Sequence, residues 1–274
     1  MTVAGRITLK ARKQVFTELI GTNPSRYHGE GYDFAELREY QVGDDIRHID
    51  WVISAKLQTP YVKRFYKERQ LNVTLVALMD GGIYFGSHRL KQELLAEAAA
   101  LLAFGAIKNG ERFSTYIATE TLTPLVRPTS RIGAVSHSVE GLLAFDPVGH
   151  RLNWETLERQ LMLTLHQKSL VILIGDFFTP PALGMLSKKH EVIAVAVRDH
   201  AEEEPPAFGA VALTDPGDGT EFEGVVGETA VRRWKAKVAG MDRNLAEYFR
   251  KNGVRWTKLY THQDPFPTLA RLFY

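Results

Sequence analysis

Hydrophobic positions along this chain have two textures, and the change comes near residue 70. From Leu71 onward, short and nearly continuous apolar runs alternate with longer stretches in which apolar residues recur at helical spacing. The runs at 73–79, 170–174 and 192–197 read as strands covered on both faces, because a strand with one wet face would alternate. Leu90, Leu94, Leu95, Ala98, Leu101 and Leu102 mark a helix over 88–108. Further helices are predicted over 153–166 and 229–252, and from a Thr129 or Ser130 cap to about residue 143. Strands are predicted at 112–118, 122–126 and 255–260, with short edge strands at 211–214 and 221–225 around a turn at 215–219.

The first 70 residues lack this alternation. Ile46, Ile49, Ile53 and Leu57 give one apolar stripe at helical spacing, with Asp44 or Asp45 as its cap and Thr59-Pro60 as its end. The segment 61–69 reads as extended and dense in Lys and Arg. The expected organisation is therefore an N-terminal appendage over 1–70 and an α/β domain over 71–274.

Strands that alternate with helices imply a doubly wound, largely parallel sheet. Ligands on such sheets bind at the C-terminal strand ends, near the switch in strand order. That rule singles out Asp80 and Asp176, each just past a buried strand.

Composition narrows the function classes. With 274 residues, 45% hydrophobic and 24% charged, the chain is an ordinary globular one. The absence of cysteine excludes disulfides, thiolate metal sites and a cysteine nucleophile. A formal net charge of +2 gives no global argument for nucleic acid. No run approaches the ~20 apolar residues of a membrane span, and residues 1–14 mix apolar with basic side chains rather than forming a leader. A cytoplasmic location is the expectation. The chain has no GxxxxGK[ST], no GxGxxG after a strand, no GxSxG and no zinc-like histidine spacing, so it shows no standard catalytic constellation.

The most distinctive text runs from Arg26 to Phe34, then through Leu37-Arg38-Glu39-Tyr40-Gln41-Val42-Gly43-Asp44-Asp45-Ile46-Arg47-His48-Ile49-Asp50-Trp51, and ends with Ser54-Ala55-Lys56 and 61–65. It resembles the signature of the "domain of unknown function 58" family, over roughly residues 25–145. The resemblance implies a von Willebrand factor A-like domain and an accessory or adaptor role beside MoxR-type AAA+ ATPases and other von Willebrand factor A-like proteins. That fold places Asp-x-Ser-x-Ser after its first strand to hold a metal ion. Here the string reads Asp80-Gly81-Gly82-Ile83-Tyr84, so both serines are lost. The resemblance leaves Thr129 or Ser130 to supply a loop hydroxyl and Asp176 a second carboxylate. The metal site is thus expected to be degenerate, with at most weak magnesium binding.

On a helix through the signature, Arg47, Asp50, Trp51 and Ser54 would share one face, while the isoleucine stripe packed on the α/β domain. A guanidinium, a carboxylate and an indole together suit a docking surface. The alternative is a folded-in ionic cluster, with Asp50 paired to Arg38, Arg47 or Arg64. The run 63–69 interleaves basic and aromatic residues, but an edge strand guarded by lysine explains it as well, so no nucleic-acid partner is expected.

The sequence therefore predicts a non-enzymatic protein-binding adaptor of a MoxR-type AAA+ ATPase. Its predicted binding residues are Arg38, Asp44, Asp45, Arg47, Asp50 and Trp51. The alternative is a metal-dependent phosphoester hydrolase acting through Asp80 and Asp176.

Overall fold

The computed structural model describes residues 2–17, 33–66 and 71–273. The chain divides into two compact units, Met1–Gly21 together with Leu71–Tyr274, and Thr22–Gln70.

The larger unit is built on a six-stranded sheet: β3 (Asn72–Leu78), β4 (Arg112–Ala118), β5 (Leu122–Thr129), β6 (Leu170–Gly175), β7 (Glu191–Arg198) and β10 (Arg255–Tyr260). Their spatial order is β10-β7-β6-β3-β4-β5, and only the β4–β5 pair is antiparallel. The chain leaves β3 toward β4 on one side and returns to β6 on the other. The switch in strand order therefore falls between β3 and β6.

Helices cover both faces. On one face Val73, Leu75 and Ala77 of β3 pack with α3 (Lys91–Lys108) and α4 (Gly133–Ala144). On the other, Val76 and Leu78 pack with α5 (Trp154–Thr164) and α8 (Glu228–Lys251). Successive residues of one strand thus enter two cores, which is why the strand reads as a continuous apolar run. Two one-turn helices, α6 (Leu186–Lys189) and α7 (His200–Glu203), precede and follow β7, and α9 (Pro265–Phe273) follows β10. Strands β8 (Gly209–Thr214) and β9 (Glu221–Val226) form a separate antiparallel hairpin between α7 and α8.

Helix α1 (Val3–Thr17) departs from the expected organisation. Its buried residues Ile7, Ala11 and Val15 recur every four positions and join the α3 side of the core. Phe16 meets Phe104 edge-on at 6.2 Å, and Lys108 Nζ donates to the Val15 carbonyl at 3.0 Å. The N-terminal appendage is therefore not 1–70: its first helix belongs to the α/β unit, and the small unit spans Thr22–Gln70.

In the small unit, β1 (Asp33–Glu39) pairs antiparallel with β2 (Tyr61–Tyr66). A 3-10 turn, Ile46–His48, and α2 (Trp51–Leu57) lie between them. The helix is shorter than the isoleucine spacing predicts, because Ile49 is extended (φ −66, ψ 126) and breaks the path. Ile46 and Leu57 are accordingly exposed rather than part of a buried stripe. The opening of the signature, 26–32, and the end of the basic run, 67–69, lie outside the described residues.

Candidate functional site

The switch point brings together the two aspartates predicted from strand ends. Asp80 follows β3 and opens a 3-10 turn, Gly81–Ile83. Asp176 follows β6, and its Oδ1 accepts from the Phe178 N–H at 3.1 Å. The next residue, Phe177, holds φ +55, the left-handed region that a bulky side chain rarely adopts. Its ring is fixed between Trp154, stacked at 5.8 Å, and Phe249, edge-on at 5.6 Å. Packing of the ring holds the unfavourable backbone turn that follows Asp176.

Gly82 lies against both acids. A β-carbon there would stand 2.5 Å from Asp176 Oδ2 and 3.4 Å from Asp80 Oδ1. The position that carries a serine in the resembled motif thus has no room even for a methyl group. Thr129 and Ser130 cannot supply the missing hydroxyl. Thr129 pairs with Phe113 at the start of β4, so the antiparallel β5 carries it to the opposite end of the sheet. Nor does it cap α4, whose N-cap is Ile132.

The spacing reading missed Lys91. It is the first residue of α3, its side chain is 0% exposed, and its Nζ stands 3.2 Å from Asp176 Oδ2 and 2.6 Å from Glu202 Oε1. Glu202 comes from α7. A capping box on Asp199 fixes that helix. Asp199 also accepts from the Ser87 N–H at 2.9 Å, the Ser87 hydroxyl at 2.8 Å and the Thr261 hydroxyl. Burial works against ionisation of Asp199, yet these donors outweigh it and hold the carboxyl down at about 2.

Asp80 has the opposite environment. Burial first, and then the charge of Asp176, push its carboxyl up to about 7 against the pull of Lys91. Its Oδ1 is buried without a hydrogen-bond partner. Burial likewise raises Glu202 above the usual carboxylate range, with Lys91 opposing.

The tip of the β8–β9 hairpin closes over this point. A β-carbon on Gly81 would lie 2.4 Å from the Pro216 carbonyl carbon, so the two backbones touch. Gly149 N donates to the Pro216 carbonyl at 2.8 Å, Arg151 pairs with Asp215 at 3.2 Å, and Arg151 also pairs with Asp218.

A magnesium ion fits this donor set poorly. Asp176 already accepts at both oxygens, one of them from the Lys91 ammonium, and Gly82 brings no hydroxyl. Among the described residues, no group of three or more His, Asp or Glu side chains is placed to hold a metal ion.

The signature residues do not assemble as one helical face. Arg47 lies in the 3-10 turn and makes a forked pair with Asp45, Nη2 to Oδ2 at 2.7 Å and Nε to Oδ1 at 3.1 Å. Asp45 also caps that turn, accepting from the Arg47 N–H at 3.0 Å. Arg38 pairs with Asp44 at 2.6 Å. Asp50 is the N-cap of α2, accepting from Val52 N and Ile53 N, each at 3.1 Å. Trp51, the first residue of α2, is 70% exposed, and Ile46 and Val52 are exposed as well.

Strand order, the antiparallel edge strand and paired carboxylates at the switch point define an α/β domain of von Willebrand factor A type with an altered strand-end site. The chain belongs to the family described as "Protein of unknown function DUF58", whose model matches residues 36–244. It is 27% identical over 275 residues to "Uncharacterized protein Rv1480" of Mycobacterium tuberculosis (strain ATCC 25618 / H37Rv), covering 97% of this chain and 86% of that one. "Uncharacterized protein MAV169" of Mycobacterium avium is 29% identical over 130 residues, covering 46% of this chain and 76% of that one. Among solved structures, the chain is similar to the conserved hypothetical protein BatB from Bacteroides thetaiotaomicron, with a TM-score of 0.49 and 9% identity over 74% of this chain and 96% of that one. It is also similar to the von Willebrand factor type A structure from Catenulispora acidiphila, with a TM-score of 0.35 and 11% identity over 50% of this chain and 35% of that one.

Proposed function

We propose that this chain is a non-enzymatic binding subunit that works in the cytoplasm with an AAA+ ATPase of MoxR type and other von Willebrand factor A-like proteins. The observation that carries the reading is the exposure of large apolar side chains within the signature, with Trp51 at 70% and Ile46 at 65%. An exposed tryptophan offers a large rigid surface, and residues of this type dominate binding energy when a partner buries them. The charged residues beside it, Arg38–Asp44 and Arg47–Asp45, are already paired to each other. The choice of an AAA+ partner rests on the family resemblance of the signature. Metal-dependent phosphoester hydrolysis through Asp80 and Asp176 needs an ion that this donor set fits poorly, so the binding reading is the better supported.

The test is binding of the purified chain to a purified MoxR-type ATPase, with and without ATP, using wild type, Trp51→Ala and the pair Arg47→Ala with Asp50→Ala. Trp51→Ala is expected to weaken binding at unchanged melting temperature. Full binding by Trp51→Ala, or no binding by wild type in either nucleotide state, defeats the reading.

A further inference from the structure

Lys91 is in an unfavourable place for a lysine on two counts. It is the first residue of an 18-residue helix, where the aligned peptide dipoles favour an anion rather than a cation. Its side chain is also entirely buried, and a buried ammonium is costly unless it is paired. Helix stability and core packing would therefore both select another residue. What offsets the two costs is the set of carboxylates around the Nζ atom.

Those carboxylates come from two separate elements: Asp176 after β6 and Glu202 in α7. The Asp176 and Glu202 oxygens lie 3.2 and 2.6 Å from one nitrogen, so the lysine bridges two loops that would otherwise repel each other. The face of the Phe178 ring lies 5.5 Å from the same nitrogen and adds a further cation-favouring surface. A magnesium ion needs oxygens at about 2.0–2.1 Å. An ion that close to Asp176 Oδ2 would compete with the Lys91 ammonium for the same oxygen.

We propose that Lys91 is the resident cation of this site. Its ammonium does the work of a divalent ion, tying the strand-end loops together. The wild-type site is thereby closed to metal, and loss of the ammonium uncovers the two carboxylates it bridges, Asp176 and Glu202, as a latent divalent-cation site completed by water. Loop order and partner binding then need no metal, and a chelator leaves both unchanged. This inference stands apart from the identity of the binding partner, because its test uses no partner.

The probe is Mn²⁺, followed by electron paramagnetic resonance, on wild type, Lys91→Met and Lys91→Met with Asp176→Asn. Wild type is expected to show no stoichiometric binding at millimolar Mn²⁺. Lys91→Met keeps the length of the side chain and removes the charge. It is expected to bind one ion per chain at least about tenfold more tightly than wild type, about 1.4 kcal/mol by the standard conversion. The added Asp176→Asn should abolish the gain. Stoichiometric binding by wild type that Asp80→Asn abolishes overturns the proposal, as does a folded Lys91→Met that binds no better than wild type. Should Lys91→Met fail to fold, reductive methylation of native wild type decides instead. Lys91 should stay unmodified with and without millimolar Mg²⁺ while the exposed Lys235 reacts. Modification of Lys91 once Mg²⁺ is added means that the metal displaces it, and the proposal falls.

Discussion

Gly82 and Asp176 are in contact across the strand-end site: a β-carbon at 82 would sit 2.5 Å from the Asp176 Oδ2 atom. That oxygen also accepts from Lys91 Nζ at 3.2 Å, so making room at 82 would disturb that pair. The glycine is therefore a steric requirement of the carboxylate–lysine pair. Gly82→Ser, which would restore the residue of the resembled metal motif, is expected to destabilise the fold by about 1–3 kcal/mol, as overpacking of a closed site does. Urea unfolding measures this, and a variant as stable as wild type would show that the site has slack.

Asp80 makes the stability of the protein depend on pH in an unusual direction. Its carboxyl is raised from an ordinary 3.8 to about 7 in the folded chain. Between those values the native state binds a proton that the unfolded state releases, so this group's contribution to stability is lost as pH rises through that window. Asp80→Asn removes the dependence. The variant should match wild type near pH ~4 and exceed it near pH ~8 by on the order of 2–4 kcal/mol, with coupling to Asp176 and Lys91 reducing the gain. Melting curves across that range check the sign.

The hairpin tip depends on a backbone contact that no side chain can be allowed to enter. Gly81→Ala would push a methyl group to 2.4 Å from the Pro216 carbonyl and should lift the 215–219 turn away. Hydrogen exchange should accelerate at that turn and at 147–151, while β3 and β6 stay protected. Arg151→Ala, which removes only the pairs to Asp215 and Asp218, should produce a milder version of the same pattern.

In the small unit, structure and binding separate at adjacent residues. Asp50→Ala loses the cap of α2 and should cost about 1 kcal/mol in the stability of that unit. Trp51→Ala removes an exposed ring and should leave stability within about 0.5 kcal/mol of wild type. Circular dichroism melts of the two variants beside wild type distinguish a cap from a contact surface.

Much of the fold is legible in one dimension. The runs at 73–79, 170–174 and 192–197 read as strands because burial on both faces removes alternation. Asp80 and Asp176 were found by the same logic, since the C-terminal ends of buried strands are where such sheets place their sites. The signature identified the family because its glycine, aspartate and tryptophan spacing is specific, yet it misled as geometry. Ile46 to Leu57 has helical spacing, but a single extended residue, Ile49, splits it into a turn and a short helix. Helix α1 went unread because its stripe of Ile7, Ala11 and Val15 is thin and set among basic residues.

The sequence by itself determined the alternation of strands and helices, the strand-end aspartates and the loss of both motif serines, because each depends on neighbours in the chain. Only the tertiary structure decided what stands beside Asp176. Lys91 and Asp176 are 85 positions apart, and Lys91 and Glu202 are 111. Local spacing carries no information on which distant side chain a sheet will bring to its edge. Strand order sets that, and strand order places Asp80, Asp176, Glu202 and one buried ammonium at the same point.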